Sequence, residues 1–166
     1  MMTKFPYAGR TALSLAADLR SGAVDAAELT EATLAAIAAH KDQSIFIELM
    51  AKRARSEADA ARKRLKAGQP ASALDGIPIG WKDLFGIAGR VTTAGSLILK
   101  GDPPAVADAA LVALAAKRGM VSVGCLNMTE FAYSGIGLNP HYGTPRNPRD
   151  PKVHRAPGGS SSASGV

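Results

Sequence analysis

Apolar residues recur at helical spacing along several stretches of this chain. In residues 11–20, Leu15 and Leu19 fall on one face, and Gly22 follows as a stop. A second helix is predicted from Asp25, with Ala26, Leu29, Thr33 and Ile37 on one side, fading at His40-Lys41-Asp42. Together they predict an N-terminal helical hairpin. The clearest pattern covers residues 51–67. There Ala51, Ala54, Ala58, Ala61 and Leu65 form a narrow apolar stripe in a charged segment that Gly68 closes. An alanine-rich helix is predicted over 106–118, ended by Gly119. Short continuous apolar runs at 45–50, 77–81 and 120–126 predict strands, Pro78 being tolerable near a strand start. Asn127 followed by Glu130 reads as a capping box for a short helix through Phe131 and Tyr133.

Helices alternating with strands predict an α/β protein, its sheet covered by helices on both faces. Between the elements lie loops at 69–75 and 91–101, and a break at Asp102-Pro103-Pro104. A long loop over 134–157 carries Gly135, Gly137, Pro140, Gly143, Pro145, Pro148 and Pro151; loops of that length in compact domains are functional or disordered. The 166 residues suffice for one domain. The expected organisation is a single domain over 1–166, with the hairpin at 1–42 and the start of an α/β core at 43–166. That core is expected to be incomplete, because no element follows the last loop.

Composition narrows the function classes. Apolar residues make up 46% and charged residues 20%, as in soluble globular chains. The net charge of +6 could suit nucleic acid. Yet signs alternate along predicted helices, as in Lys52-Arg53-Ala54-Arg55-Ser56-Glu57-Ala58-Asp59. The run Arg62-Lys63-Arg64 lies toward a helix C-terminus, where cations oppose the macrodipole. A solvated face is therefore the favoured reading, and nucleic acid is not expected as a direct partner. The single cysteine, Cys125, sits in an apolar run, which predicts a buried thiol and fits a reducing compartment. Arg10, Asp18 and Arg20 interrupt residues 1–22, so no signal peptide is expected there. No uncharged window reaches membrane-spanning length. A cytoplasmic protein with no membrane partner is expected.

Two stretches could carry chemistry. Gly76-Ile77-Pro78-Ile79-Gly80-Trp81-Lys82-Asp83-Leu84-Phe85 sets one lysine in apolar surroundings. Desolvation would lower the Lys82 pKa and make a neutral amine available as a base. Alternatively, Lys82 pairs with Asp83 or Glu130, or reaches to water; from this stretch alone that plainer reading is favoured. The second stretch is Pro157-Gly158-Gly159-Ser160-Ser161-Ser162-Ala163-Ser164-Gly165-Val166. Its small residues allow a backbone that wraps tightly and aims hydroxyls and N–H groups. A flexible linker has the same composition. Against a linker stand Pro157 and the varied loop before it. Neither a nucleophile elbow nor a phosphate-binding Gly-Lys-Ser/Thr loop is present. His40, His141 and His154 lack metal-ligand spacing. Neither metal nor cofactor is expected.

Five segments together resemble the amidase signature family. Gly76-Ile77-Pro78-Ile79-Gly80-Trp81-Lys82-Asp83 is similar to its lysine segment, and Ala94-Gly95-Ser96 to the short segment that follows there. Gly124-Cys125-Leu126-Asn127-Met128-Thr129-Glu130-Phe131 resembles "GKTNMTEF". Asn139-Pro140-His141-Tyr142-Gly143-Thr144-Pro145-Arg146-Asn147-Pro148 resembles "NPxxGTPRNP", and residues 157–164 resemble "PGGSSSGS". The segments come in the family's order and cover most of the chain after residue 75. Two departures stand out: Cys125 where the family commonly has Lys, and Ala163 where it commonly has Gly.

The resemblance implies an amidase-signature mixed sheet and a Ser–cisSer–Lys relay. In it Lys82 matches the base, and Ser160 matches the bridging serine with a cis peptide bond, supported by Gly158, Gly159 and Ser161. The family's nucleophile belongs to a further Gly-Gly-Ser segment absent from these residues, so this chain alone is expected to lack amidase activity. The implied reaction is hydrolysis of a small amide. One alternative is the glutamine-hydrolysing A subunit of a tRNA-dependent amidotransferase, with partner subunits. Another is a catalytically dead fragment or degenerate paralogue that acts by association. A homodimer is a further expectation for partners.

Overall fold

The computed structural model describes residues 5–148 and 158–161. In chain order the elements are α1 (Ala12–Ser21), α2 (Ala26–Ala39), β1 (Phe46–Leu49), α3 (Ala51–Lys66), β2 (Pro78–Lys82), α4 (Ala110–Lys117) and β3 (Val121–Leu126). Single 3-10 turns occur at Ile98–Gly101 and Glu130–Ala132. The sheet order is β1-β3-β2. β1 runs antiparallel to β3, with Phe46 opposite Leu126, Glu48 opposite Cys125 and Leu49 opposite Gly124. Val121 N donates to Ile77 O and Asp83 N to Leu126 O, so β2 and β3 run in the same direction. The sheet is therefore mixed, as the family resemblance implied. Among the described residues no helix is long and apolar enough to cross a membrane.

The contacts divide the chain into two compact units. One takes the described residues of Met1–His40, Met50–Ile79 and Ala113–Val123. Its helices start where local chemistry starts them. Thr11 Oγ1 accepts from Ser14 N, and Asp25 Oδ1 accepts from Ala27 N and Glu28 N, satisfying first-turn donors that the helices leave open. The apolar faces then meet: Leu15, Ala16 and Leu19 of α1, Ala26 and Leu29 of α2, Ala61 of α3, and Ile77 form one buried cluster. Ala54, Ala58 and Ala61 are fully buried, which is the alanine stripe read from the sequence. Their small side chains let α3 pack closely against α2. The Arg62-Lys63-Arg64 run is not wholly a solvated face. Arg64 closes a two-pronged ion pair on buried Asp75, Nε to Oδ2 at 2.9 Å and Nη2 to Oδ1 at 2.7 Å.

The other unit takes the described residues of Lys41–Leu49, Gly80–Val112 and Gly124–Val166. Two expectations are corrected here. First, α4 begins at Ala110 rather than at residue 106. Its predicted first turn is instead held as a connection: Asp108 Oδ1 accepts from Ala88 N at 2.9 Å, and Ala109 N donates to Gly86 O at 2.8 Å. Second, Asn127 and Glu130 form no capping box. Asn127 Nδ2 donates to Ser44 O (2.9 Å) and Gly143 O (2.8 Å), tying together segments distant in sequence. The 3-10 turn that follows has no side-chain cap, and Phe131 and Ala132 sit at positive φ.

Candidate active site

β2 delivers Lys82 at its last position. Side chains alternate along a strand. Trp81 is buried, edge-on to Phe85 at 5.3 Å between ring centroids, while Lys82 is only half-buried. Lys82 Nζ donates to Ser160 Oγ at 2.9 Å. Burial holds the lysine pKa below its ordinary value, because the ammonium loses water that one hydroxyl does not replace.

Ser160 is held by its backbone. Thr129 N donates to Ser160 O at 3.2 Å, and Gly159 N to Gly135 O at 2.8 Å. Gly158 makes an isolated antiparallel bridge with Ile136. Ser161 is exposed beside this pair. Ser162, Ala163 and Ser164 lie outside the described residues, as does His154. Among the described residues no peptide bond is cis, so the cis bond implied for Ser160 is not found.

The two carboxylates considered as partners of Lys82 are both engaged elsewhere. Asp83 is fully buried and accepts from Arg90 Nη1 (2.9 Å), Thr93 Oγ1 and Gly95 N (3.2 Å). Glu130 accepts from Ser96 Oγ at 2.6 Å and lies 3.0 Å from His141 Nε2. The Ser96 hydrogen bond, aided by His141 and opposed by burial, holds the Glu130 carboxyl below its ordinary pKa.

Sequence reasoning missed two buried hubs. Arg90 joins Asp83 to Glu48, with Nε to Glu48 Oε2 at 3.0 Å. Asn139 donates through Nδ2 to Gly95 O (2.8 Å) and Met128 O (2.7 Å), and its Oδ1 accepts from His141 N and Tyr142 N. The only advance sign was position: Asp83 follows the lysine, and Gly95 and Asn139 stand in two of the quoted motifs. Cys125 is buried, and among the described residues no cluster could hold a metal ion.

A family model described as Amidase matches residues 28–166. The chain belongs to the amidase family. Its relatives include the A subunit of the glutamyl-tRNA(Gln) amidotransferase of Myxococcus xanthus, 43% identical over 93% of this chain and 31% of the relative. AtzE, the 1-carboxybiuret hydrolase subunit of a Pseudomonas species, is also 43% identical, over 89% of this chain and 32% of the relative. Among solved structures, the native peptide amidase of Stenotrophomonas maltophilia superposes with a TM-score of 0.85 at 34% identity. That match covers 97% of this chain and 34% of the peptide amidase. This amidase chain thus spans about a third of the length of the relatives it matches. Both the family read from the motif segments and its α/β fold are borne out.

Proposed function

We propose that Lys82 and Ser160 are the base and the proton relay of an amidase that hydrolyses a carbon–nitrogen bond through a serine acyl-enzyme. The observation that carries this reading is the 2.9 Å hydrogen bond from Lys82 Nζ to Ser160 Oγ. In the reaction, neutral Lys82 takes the Ser160 proton while Ser160 takes that of an attacking serine. The serine oxygen bonds to the amide carbonyl carbon, and backbone N–H groups hold the oxyanion. The carbon–nitrogen bond then breaks, and the proton returns through Ser160 to the leaving amine. Water cleaves the acyl ester by the same relay. Gly159 supplies the left-handed φ of +78° just before Ser160, Gly158 precedes it, and Ser161 follows. No residue of the segments named above is assigned as the attacking serine.

The Myxococcus and Pseudomonas relatives are each named as a subunit, which supports action alongside partner chains. One of them is named as part of an amidotransferase, which makes glutamine the first alternative substrate to a small amide. A cytoplasmic setting is part of the proposal and rests on the buried thiol of the single cysteine.

The 166-residue chain assayed alone should turn over no nitrophenyl ester, small amide or glutamine. Carried in a polypeptide that supplies the rest of an amidase domain, it should hydrolyse amides. Lys82→Ala and Ser160→Ala should then each lower kcat/KM by about 10²-fold or more. Full activity in both variants would overturn the assignment. Turnover by the lone chain that vanishes with Lys82→Ala would instead overturn the expectation that the lone chain is inactive.

A further inference from the structure

Asp83 stands next to the proposed base without bonding to it. Five hydrogen bonds converge on this residue. Its carboxylate takes Arg90, Thr93 and Gly95 N, its carbonyl takes Ala94 N at 3.0 Å, and its own N–H goes to Leu126 O at 3.2 Å. All three donors to the carboxylate come from residues 90–95. Arg90 is itself buried, and its far side is held by Glu48 of β1.

The contacts run on to the relay serine. Gly95 O accepts from Asn139 Nδ2, which also bonds Met128 O, and Thr129 N donates to Ser160 O. Lys82 Nζ to Ser160 Oγ completes a ring. A lysine side chain has four rotatable bonds, so one bond to a hydroxyl does not fix Nζ. The distance is set by the two backbones from which Lys82 and Ser160 project.

We propose that Asp83 is a positioning residue: its buried pair with Arg90 pins the 93–95 turn and thereby sets the span between Lys82 and Ser160. The inference rests on the function proposed for that pair. A buried ion pair is commonly no more stabilising than well-packed apolar side chains. A carboxylate holding three donors in fixed directions gives register that an apolar group does not. All three donors to the Asp83 carboxylate lie in residues 90–95, so Asp83 acts on the lysine through the backbone it fixes.

The test uses the chain itself. Competitive labelling with trace acetic anhydride across a pH series, read peptide by peptide by mass spectrometry, gives a titration for each lysine. In the unsubstituted chain Lys82 should titrate below the exposed lysines. Asp83→Asn and Thr93→Val should each loosen the turn, admit water to Nζ and move the Lys82 titration up toward the others. Val112→Ala, a cavity in α4 that lowers the melting temperature, should leave it in place. An unchanged Lys82 titration in folded Thr93→Val overturns the inference, and this variant decides alone if Asp83→Asn does not fold. If Lys82 of the unsubstituted chain titrates with the exposed lysines, the proposed function itself fails.

Discussion

At the scale of single residues, Lys82 makes stability depend on pH in the alkaline range. Its folded pKa lies below the ordinary lysine value because burial opposes the charge. Below that folded pKa the ammonium is retained in both states, and the folded state carries the full desolvation cost. As pH rises from the folded toward the unfolded pKa, the unfolded chain binds more protons than the folded one, so stability rises. A lysine kept for packing alone gains nothing from this; a base gains the neutral form the chemistry needs. The slope isolates the effect. In a polypeptide that supplies the rest of an amidase domain, urea midpoints should climb through the alkaline range, and Lys82→Met should remove that climb. An unchanged slope in Lys82→Met would assign the climb to other groups.

At the scale of elements, the turn between α4 and β3 shows how a buried charge restricts its neighbours. Gly119 has φ +85°, and a Cβ there would lie 2.2 Å from Asp75 Oδ1 and 2.9 Å from Arg64 Nη2. Gly119→Ala should therefore cost the left-handed strain of about 1–2 kcal/mol and a further loss from displacing the Asp75 carboxylate from Arg64. Gly68 shares the left-handed φ but has nothing within 4 Å, so Gly68→Ala should cost the strain alone. Equal losses in the two variants, measured by urea unfolding, would remove the Asp75–Arg64 pair from the explanation. The same contrast between local and distant causes explains what was legible in the sequence. The apolar spacing of α1 and α2 and the alanine stripe of α3 are local signals, and the helices formed there. The first turn predicted for α4 gave way to bonds with residues 86 and 88. The capping box failed because Asn127 Oδ1 accepts from Met128 N and Glu130 Oε1 from Ser96 Oγ, while Asn127 Nδ2 goes to Ser44, 83 residues away, and to Gly143. Lys82 and Ser160 are 78 residues apart, and only the family resemblance suggested that they meet. Nothing in the sequence linked Asp83 to Arg90.

At the scale of the whole molecule, the question is whether these residues make a cooperative fold by themselves. The unit built on α1, α2 and α3 has a contiguous buried cluster. The unit that carries Lys82 and Ser160 leaves Leu97, Ile98, Val106, Phe131, Tyr133, Ile136 and Leu138 exposed. Full burial of such a side chain contributes about 1.5–3 kcal/mol, while ordering each residue costs about 1–2 kcal/mol. Net stability is a small difference between such sums, so several unburied anchors decide it. The chain also spans about a third of the length of its relatives. The 166-residue chain alone should therefore melt broadly, with a van't Hoff enthalpy below the calorimetric one, and should bind a hydrophobic dye before the transition. Amide protection should last longest in α3, where Ala54, Ala58 and Ala61 are fully buried. A sharp two-state melt with no early dye binding would show that the exposed apolar side chains cost the fold nothing, and would overturn the expectation that these residues form an incomplete core.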